Sequence, residues 1–158
     1  VLMLAHGVMS DRMAKTLKAN LSEWRRVMAI NLDSVFVIVN IVGALMAEAR
    51  KGRIIIYSAC LGRMSGPGNA GGLAPYRISK AGVNALVRNL SHEVGHGDRG
   101  LWVDATCPNH SRTDMGGPDA PRSADEGAET AIWLATRELT PGATQTGLLW
   151  EDREVVPW

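Results

Sequence analysis

The sequence predicts an α/β fold, an open parallel sheet of about four strands with flanking helices. Three observations carry this. Apolar runs of strand length recur along the 158 residues with helical stretches between them. The runs are predominantly apolar, as in strands buried on both faces. The first three runs are followed within a few residues by Gly, Asn, Ser or Pro, the residues that turn a chain out of a sheet.

The strands fall at residues 1–5, 53–58, 101–107 and, with a fainter pattern, 147–150. Residues 22 to about 50 read as one long helix with Ser22 as N-cap, because Trp24, Val27, Asn31, Val35, Ile38, Val39 and Val42 recur at three-and-four spacing. Past Asn31 this helix is apolar nearly all round, so cover is expected on two sides, from the sheet and from a second subunit. A second helix spans residues 74 to about 94, ended by Gly95, Gly97 and Gly100. A third starts at Ser123, where Ser-Ala-Asp-Glu126 has the form of a capping box, and runs to about Thr136. Gly62, Gly66, Gly68, Gly71 and Gly72 mark a mobile surface loop before the second helix.

Composition narrows the function classes. The length is one domain's worth, and 46% hydrophobic residues suffice for a core. Lys and Arg number 17 against 16 Asp and Glu, with no block of like charge, so nucleic acid is not an expected partner. The longest apolar run, residues 35–47, is 13 residues, short of the ~20 that a bilayer span needs, so no membrane association is expected. Cys60 and Cys107 have no CxxC spacing and suit a reducing compartment, with the cytoplasm as default. Residues 1–5 lack a basic flank and read as a strand rather than a secretion signal, and the missing initiator Met suggests a trimmed, processed or partial chain.

Two constellations carry chemistry. In Tyr76-Arg77-Ile78-Ser79-Lys80, residues four apart share a helix face, so the Lys80 ammonium can stand beside the Tyr76 phenol and lower its pKa from near 10. Such a pair is a candidate general acid and base, although the same spacing also occurs on solvated helices. The second, His92-Glu93-Val94-Gly95-His96, has the H-E-x-x-H form of zinc proteases. Gly95 and Gly97 break the stiff scaffold that two ligands need, Arg99 stands where the longer pattern requires Gly, and only His110 could be nominated as a third ligand. A solvated helix end is the preferred reading there.

Tyr76, Ser79 and Lys80 follow a strand ending near Ser58, with Asn31 inside a long helix before it and Cys107-Pro108, Thr113 and Asp114 after it. This succession resembles the short-chain dehydrogenase/reductase family along essentially the whole chain. The run from Thr113 to Pro118, then residues 126–130, and the closing Pro157-Trp158 resemble its carbonyl-reductase-like branch. The resemblance implies a partial Rossmann-like, doubly wound fold, with residues 1–158 as a single domain matching the second half of the family's fold. It implies that Tyr76 protonates a carbonyl oxygen while a nicotinamide cofactor delivers hydride. Lys80 would hold the cofactor ribose and depress the Tyr76 pKa, Asn31 would anchor a water linking Lys80 to solvent, and Pro108 and Thr113 would line the nicotinamide end. NADP is favoured over NAD, and the substrate would be a small carbonyl or alcohol.

Four departures from the family pattern stand beside this. The strand, Gly-rich turn and helix that cradle the cofactor pyrophosphate are not among these residues, so residues 1–5 match the family's fourth strand. The family's catalytic Ser falls at Ala59, and Ser58, one place earlier, can replace it only if the strand bulges or shifts register. The family's Asn-Asn-Ala-Gly is Leu4-Ala5-His6-Gly7, and its Pro-Gly is Pro108-Asn109, with Ser111 where a β-branched residue is expected. Two functions follow as alternatives: an NAD(P)-dependent oxidoreductase, weak or inactive as this chain alone, or a non-catalytic homologue serving as scaffold or partner subunit. An exposed edge at residues 1–5 and the broad apolar helix faces predict a homodimer or larger assembly.

Overall fold

Three consecutive isoleucines explain the layering in the computed structural model, which describes residues 1–11, 14–66 and 70–158. In strand β2 (Gly52–Tyr57), Ile54, Ile55 and Ile56 are all buried. Side chains alternate along a strand, so Ile54 and Ile56 face one core with Val35, Val39, Val83 and Val87. Ile55 faces the other, with Ala131, Leu134 and Trp150. A strand with both faces covered has no use for polar alternation.

The sheet has five strands in the order β1–β2–β3–β4–β5, from β1 (Leu2–Leu4) through β2, β3 (Leu101–Thr106) and β4 (Leu149–Glu151) to β5 (Glu154–Val156). The first four are parallel, as expected, and β5 is an added antiparallel strand. Its hairpin turns through Asp152 and Arg153, both at positive φ (53° and 64°), the backbone of a tight two-residue turn that Gly or Asn usually supplies. β1 ends the sheet at the opposite edge.

Helix α1 (Leu21–Glu48) is continuous but contains two π-helical stretches, Ala29–Asp33 and Val39–Gly43. Its N-cap is Asn20 rather than Ser22: the Asn20 Oδ1 accepts from both the backbone N–H and the hydroxyl of Ser22 at 2.8 Å. The apolar run that read as 13 residues is part of a 28-residue helix long and apolar enough to cross a bilayer by length and composition. Val27, Asn31, Val35 and Val39 are nonetheless buried against the protein, which makes α1 a core helix of this fold. Its outer face leaves Phe36, Val37, Ile41 and Leu45 each more than half exposed.

Helix α2 (Ala74–Glu93) packs on the same side of the sheet as α1, and α3 (Ala124–Thr136) covers the other. Gly82 packs against the Leu32 side chain of α1, and a Cβ there would lie 2.6 Å from Leu32 Cδ2. The capping box at α3 forms as expected: the Ser123 hydroxyl accepts from Glu126 N–H at 3.1 Å, and the Glu126 carboxylate accepts from Ser123 N–H at 2.7 Å. Of the glycine-rich stretch, Gly62 is buried in a 3₁₀ turn (Cys60–Gly62) and is no surface loop; Gly68 lies outside the described residues.

Candidate active site

Parallel strands deliver their C-terminal ends to one edge of the sheet, and there the loops diverge to leave a crevice. The chain leaving β1, β2 and β3 at this edge, with the start of α2, encloses a cavity of about 740 Å³. Ser58, Tyr76, Lys80, Pro108 and Thr113 all border it. Asn31 does not border it but sits directly behind it.

Asn31 lies in the first π-helical stretch of α1 and is fully buried. Its Oδ1 accepts from Val8 N–H at 2.7 Å, and its Nδ2 donates to Val8 O at 2.9 Å and to Ser79 Oγ at 3.0 Å. Both amide protons are therefore committed, and the side chain ties the turn after β1 to α2. The Ser79 hydroxyl in turn donates to Tyr76 O at 2.7 Å. Gly7 lies flush against this brace, because a Cβ there would stand 3.4 Å from both Asn31 Oδ1 and Lys80 Nζ. His6, in the place of the family's alanine, reaches Ser34 Oγ on α1 at 2.7 Å.

Tyr76 and Lys80 are brought together one turn apart on α2, 6% and 4% exposed. The Lys80 ammonium donates to Tyr57 O at 2.8 Å and lies 6.0 Å from the centre of the Tyr76 ring. Burial pulls Lys80 down to about 8, opposed by the charge of Cys107. The Tyr76 phenol is not depressed as the spacing suggested: burial, then the charges of Cys107 and Cys60, hold it above its ordinary value. At that separation, with the lysine already paired to a carbonyl, desolvation wins over attraction. Neutral Tyr76 holds its proton at physiological pH, the state of a general acid.

β2 reaches this edge without a bulge. The ladder continues as Ser58 N–H donates to Thr106 O at 2.8 Å, and Ala59 is extended at φ −159° and ψ 151°. Alternation therefore turns Ser58 toward α2, where its hydroxyl pairs with Asn84 Oδ1 and, at 3.3 Å, with Lys80 O. Asn84 completes the chain by donating to Gly62 O at 3.1 Å.

On the far side, Asn109 takes the left-handed conformation at φ 57°, so the turn that glycine would make survives. Ser111 Oγ donates to Pro108 O at 2.9 Å, and Thr113 Oγ1 accepts from Gly116 N–H at 3.1 Å. The second constellation lies elsewhere. His92 is in the last turn of α2, whereas His96 is beyond the helix at φ 48°, with its Nε2 2.8 Å from His92 Nδ1. His110 pairs instead with Gly116 O at 2.8 Å.

Sequence reading missed one juxtaposition. Cys60 and Cys107, 47 positions apart, meet at the cavity wall, where Cys60 N–H donates to Cys107 Sγ at 3.0 Å. The available signal was positional: each follows the end of one of two adjacent parallel strands.

Comparison with known proteins gives the family and the fold. The family model for short chain dehydrogenases matches residues 1–124. Carbonyl reductase [NADPH] 1 of Mus musculus is 41% identical over 86 residues, which are 52% of this chain and 30% of that protein. The 3-oxoacyl-[acyl-carrier-protein] reductase FabG of Escherichia coli is 35% identical over 109 residues, 69% of this chain and 41% of that one. This chain thus spans less than half the length of either relative. Among solved structures, carbonyl reductase Sniffer of D. melanogaster superposes with a TM-score of 0.84 at 21% identity, over 99% of this chain and 65% of that one, and so shares the fold.

Proposed function

Because the chain belongs to the short-chain dehydrogenase family, we propose that its cavity is the nicotinamide and substrate end of an NAD(P)-dependent carbonyl reductase. The observation that carries this reading is the pairing of Tyr76 and Lys80 on one face of α2, both buried and both bordering the cavity at the strand ends. The residues fit a dinucleotide's ribose. Among the described residues, Tyr57 O is the one hydrogen-bond acceptor the Lys80 ammonium finds, which leaves two of its three donors for ligand hydroxyls.

When bound, a reduced nicotinamide supplies the hydride that the carbonyl carbon accepts. Tyr76 gives its proton to the developing alkoxide oxygen, and Lys80 stabilises the phenolate left behind. Pro108 and Thr113 shape the wall opposite α2, and Asn31 holds Val8 and Ser79 in place so that Lys80 keeps its direction. NADP is preferred to NAD by analogy with the mouse relative, whose name carries NADPH.

Ala59 supports a slow enzyme. It stands where the resemblance expects a serine, and Ser58 is committed to Asn84, so a donor to the substrate oxygen is missing. The same observation favours a second reading, a non-catalytic subunit that retains the fold. The outer face of α1 supports a homodimer or larger assembly in either case, in the cytoplasm.

NADPH titration followed by fluorescence separates the two. Micromolar affinity, lost in Lys80→Met, together with aldehyde reduction lost in Tyr76→Phe, is the expected result. No binding at millimolar cofactor would leave the scaffold reading standing.

A further inference from the structure

The two cysteines of this chain occupy one spot on the cavity wall by construction of the sheet. β2 and β3 are parallel and paired Tyr57↔Thr106 at their ends. Cys107 is the residue after β3, and Cys60 opens the 3₁₀ turn just past β2. The Cys60 N–H donates to Cys107 Sγ at 3.0 Å, which sets the two thiols side by side on the wall. Cys107 is 2% exposed, while Cys60 is only partly buried and open to the cavity.

We propose that Cys60 and Cys107 are a peroxide-sensitive thiol pair that closes to an intrachain disulfide in the wall of the substrate cavity. The Cys60 thiolate attacks one oxygen of hydrogen peroxide; the O–O bond breaks, hydroxide leaves, and Cys60 becomes a sulfenic acid. Cys107 then attacks the Cys60 sulfur, the S–O bond breaks, and the Cys107 proton departs with the hydroxyl as water. Two thiols are oxidised and one peroxide is reduced to two waters.

The surroundings divide the roles. The hydrogen bond from Cys107 and the charge of Arg63 draw Cys60 down to about 7, against burial and the carboxylate of Glu151 on β4. The hydrogen bond with Cys60, burial, and the charges of Cys60 and Glu151 push Cys107 up. Lys80 on α2 faces Cys107 as a cation, and Tyr76 faces both as a neutral phenol. Cys60 is thus the thiol that ionises and meets peroxide. Once it is an uncharged sulfenic acid, its anion no longer holds the proton on Cys107, which is free to resolve it.

The bridge itself does not depend on the redox function proposed above. Its consequence does: a disulfide there fixes the turn that carries Gly62, packed on Lys80, and narrows the cavity beside Tyr76. Loss of carbonyl reduction on oxidation therefore tests both, whereas the cross-link tests the pair alone.

The experiment treats the full chain with limiting hydrogen peroxide, blocks remaining thiols with iodoacetamide, and digests with trypsin without reductant. Cleavage at Arg53, Arg63, Arg99 and Arg112 puts the cysteines in separate peptides, residues 54–63 and 100–112. The expected product is these peptides joined, two hydrogens lighter than their sum and released by dithiothreitol, with a formation rate that is half-maximal near pH 7. In Cys107→Ser, with peroxide raised above two equivalents per chain, Cys60 should instead proceed to sulfinic acid, a second peroxide oxidising the unresolved sulfenic acid. Recovery of both peptides fully alkylated, Cys60 sulfinic acid in the unsubstituted chain, or a bridge formed only between two chains would each overturn the proposal.

Discussion

The backbone of Gly62 runs so close to Lys80 that a Cβ at Gly62 would lie 2.7 Å from the lysine's carbonyl carbon and 2.8 Å from its Cβ. Nothing at those distances is a flexible side-chain tip. Gly62→Ala must therefore push the turn after β2 away from α2, breaking the Asn84 bond to Gly62 O. Overpacking of this kind costs about 1–3 kcal/mol, so urea denaturation should show that loss, and Lys80 should lose its place beside Tyr57 O.

Ala59 invites the opposite kind of change. It is 7% exposed, borders the cavity, and sits in regular extended backbone, so a hydroxyl can be added without distorting β2. Removing one preorganised oxyanion donor typically costs about 100- to 1,000-fold in rate. Ala59→Ser should recover at least about tenfold in NADPH-dependent aldehyde reduction relative to the unsubstituted chain, and no gain should appear when Tyr76→Phe is added. A gain that survives without Tyr76 would remove the tyrosine from the mechanism.

What the sequence made legible follows from how locally each feature is encoded. The Ser123–Glu126 capping box, the isoleucine run of β2 and the Tyr76–Lys80 pair are all fixed by spacings within a few residues, and each forms in the structure. β5 was not legible because its turn uses Asp152 and Arg153 at positive φ, without the Gly or Asn that would announce it. The π-helical stretches of α1 leave no mark on a three-and-four pattern, yet one of them aims Asn31 at Val8 and Ser79. The elevated Tyr76 pKa depends on total burial, and the Cys60–Cys107 contact on strand register; both are properties of the assembled sheet.

Lys80 gives the stability a pH signature. Its folded value, about 8, lies below its ordinary 10.5, so between these values the unfolded chain binds more protons than the folded one. Stability from this group then rises with pH, since the cost of burying the cation is complete below pH 8 and is relieved as the folded state deprotonates. Cys60 contributes a rise of the same sign starting near 7, and Tyr76, raised by burial, opposes above its ordinary 10.0. The difference between the unsubstituted chain and Lys80→Met isolates the lysine. Across pH 8 to 10 that difference should change by no more than about 1.4 kcal/mol per pH unit, the unsubstituted chain gaining.

Arg137 lies over the edge-packed pair Trp133 and Trp150, 4.7 Å from the centre of each ring, and donates to the carboxylate of Asp104 at 3.0 Å. Asp104 is 3% exposed, and burial raises its pKa despite donors from Trp150 Nε1 and Leu148 N–H. Removing the guanidinium leaves a buried carboxylate without its cation. Arg137→Ala should cost about 3–5 kcal/mol in chemical denaturation at neutral pH, and the loss should shrink in acid as Asp104 takes up a proton. Asp104→Asn in the Arg137→Ala background should recover part of it.

The outer face of α1 gives the last test. Phe36, Val37, Ile41 and Leu45 are 54%, 51%, 60% and 63% exposed, and Phe36 and Val37 share a shallow apolar groove with Gly82, Ala85 and Leu86 of α2. Exposed apolar surface continuous across two helices is what subunit contacts are made of, and helix–helix packing of two copies would bury all four side chains. Sedimentation at tens of micromolar should show a dimer or larger species. Ile41→Glu places a charge at the centre of that face without touching the core, so it should shift the chain to monomer while leaving its helical content unchanged. An unsubstituted chain that sediments as a monomer would overturn the prediction.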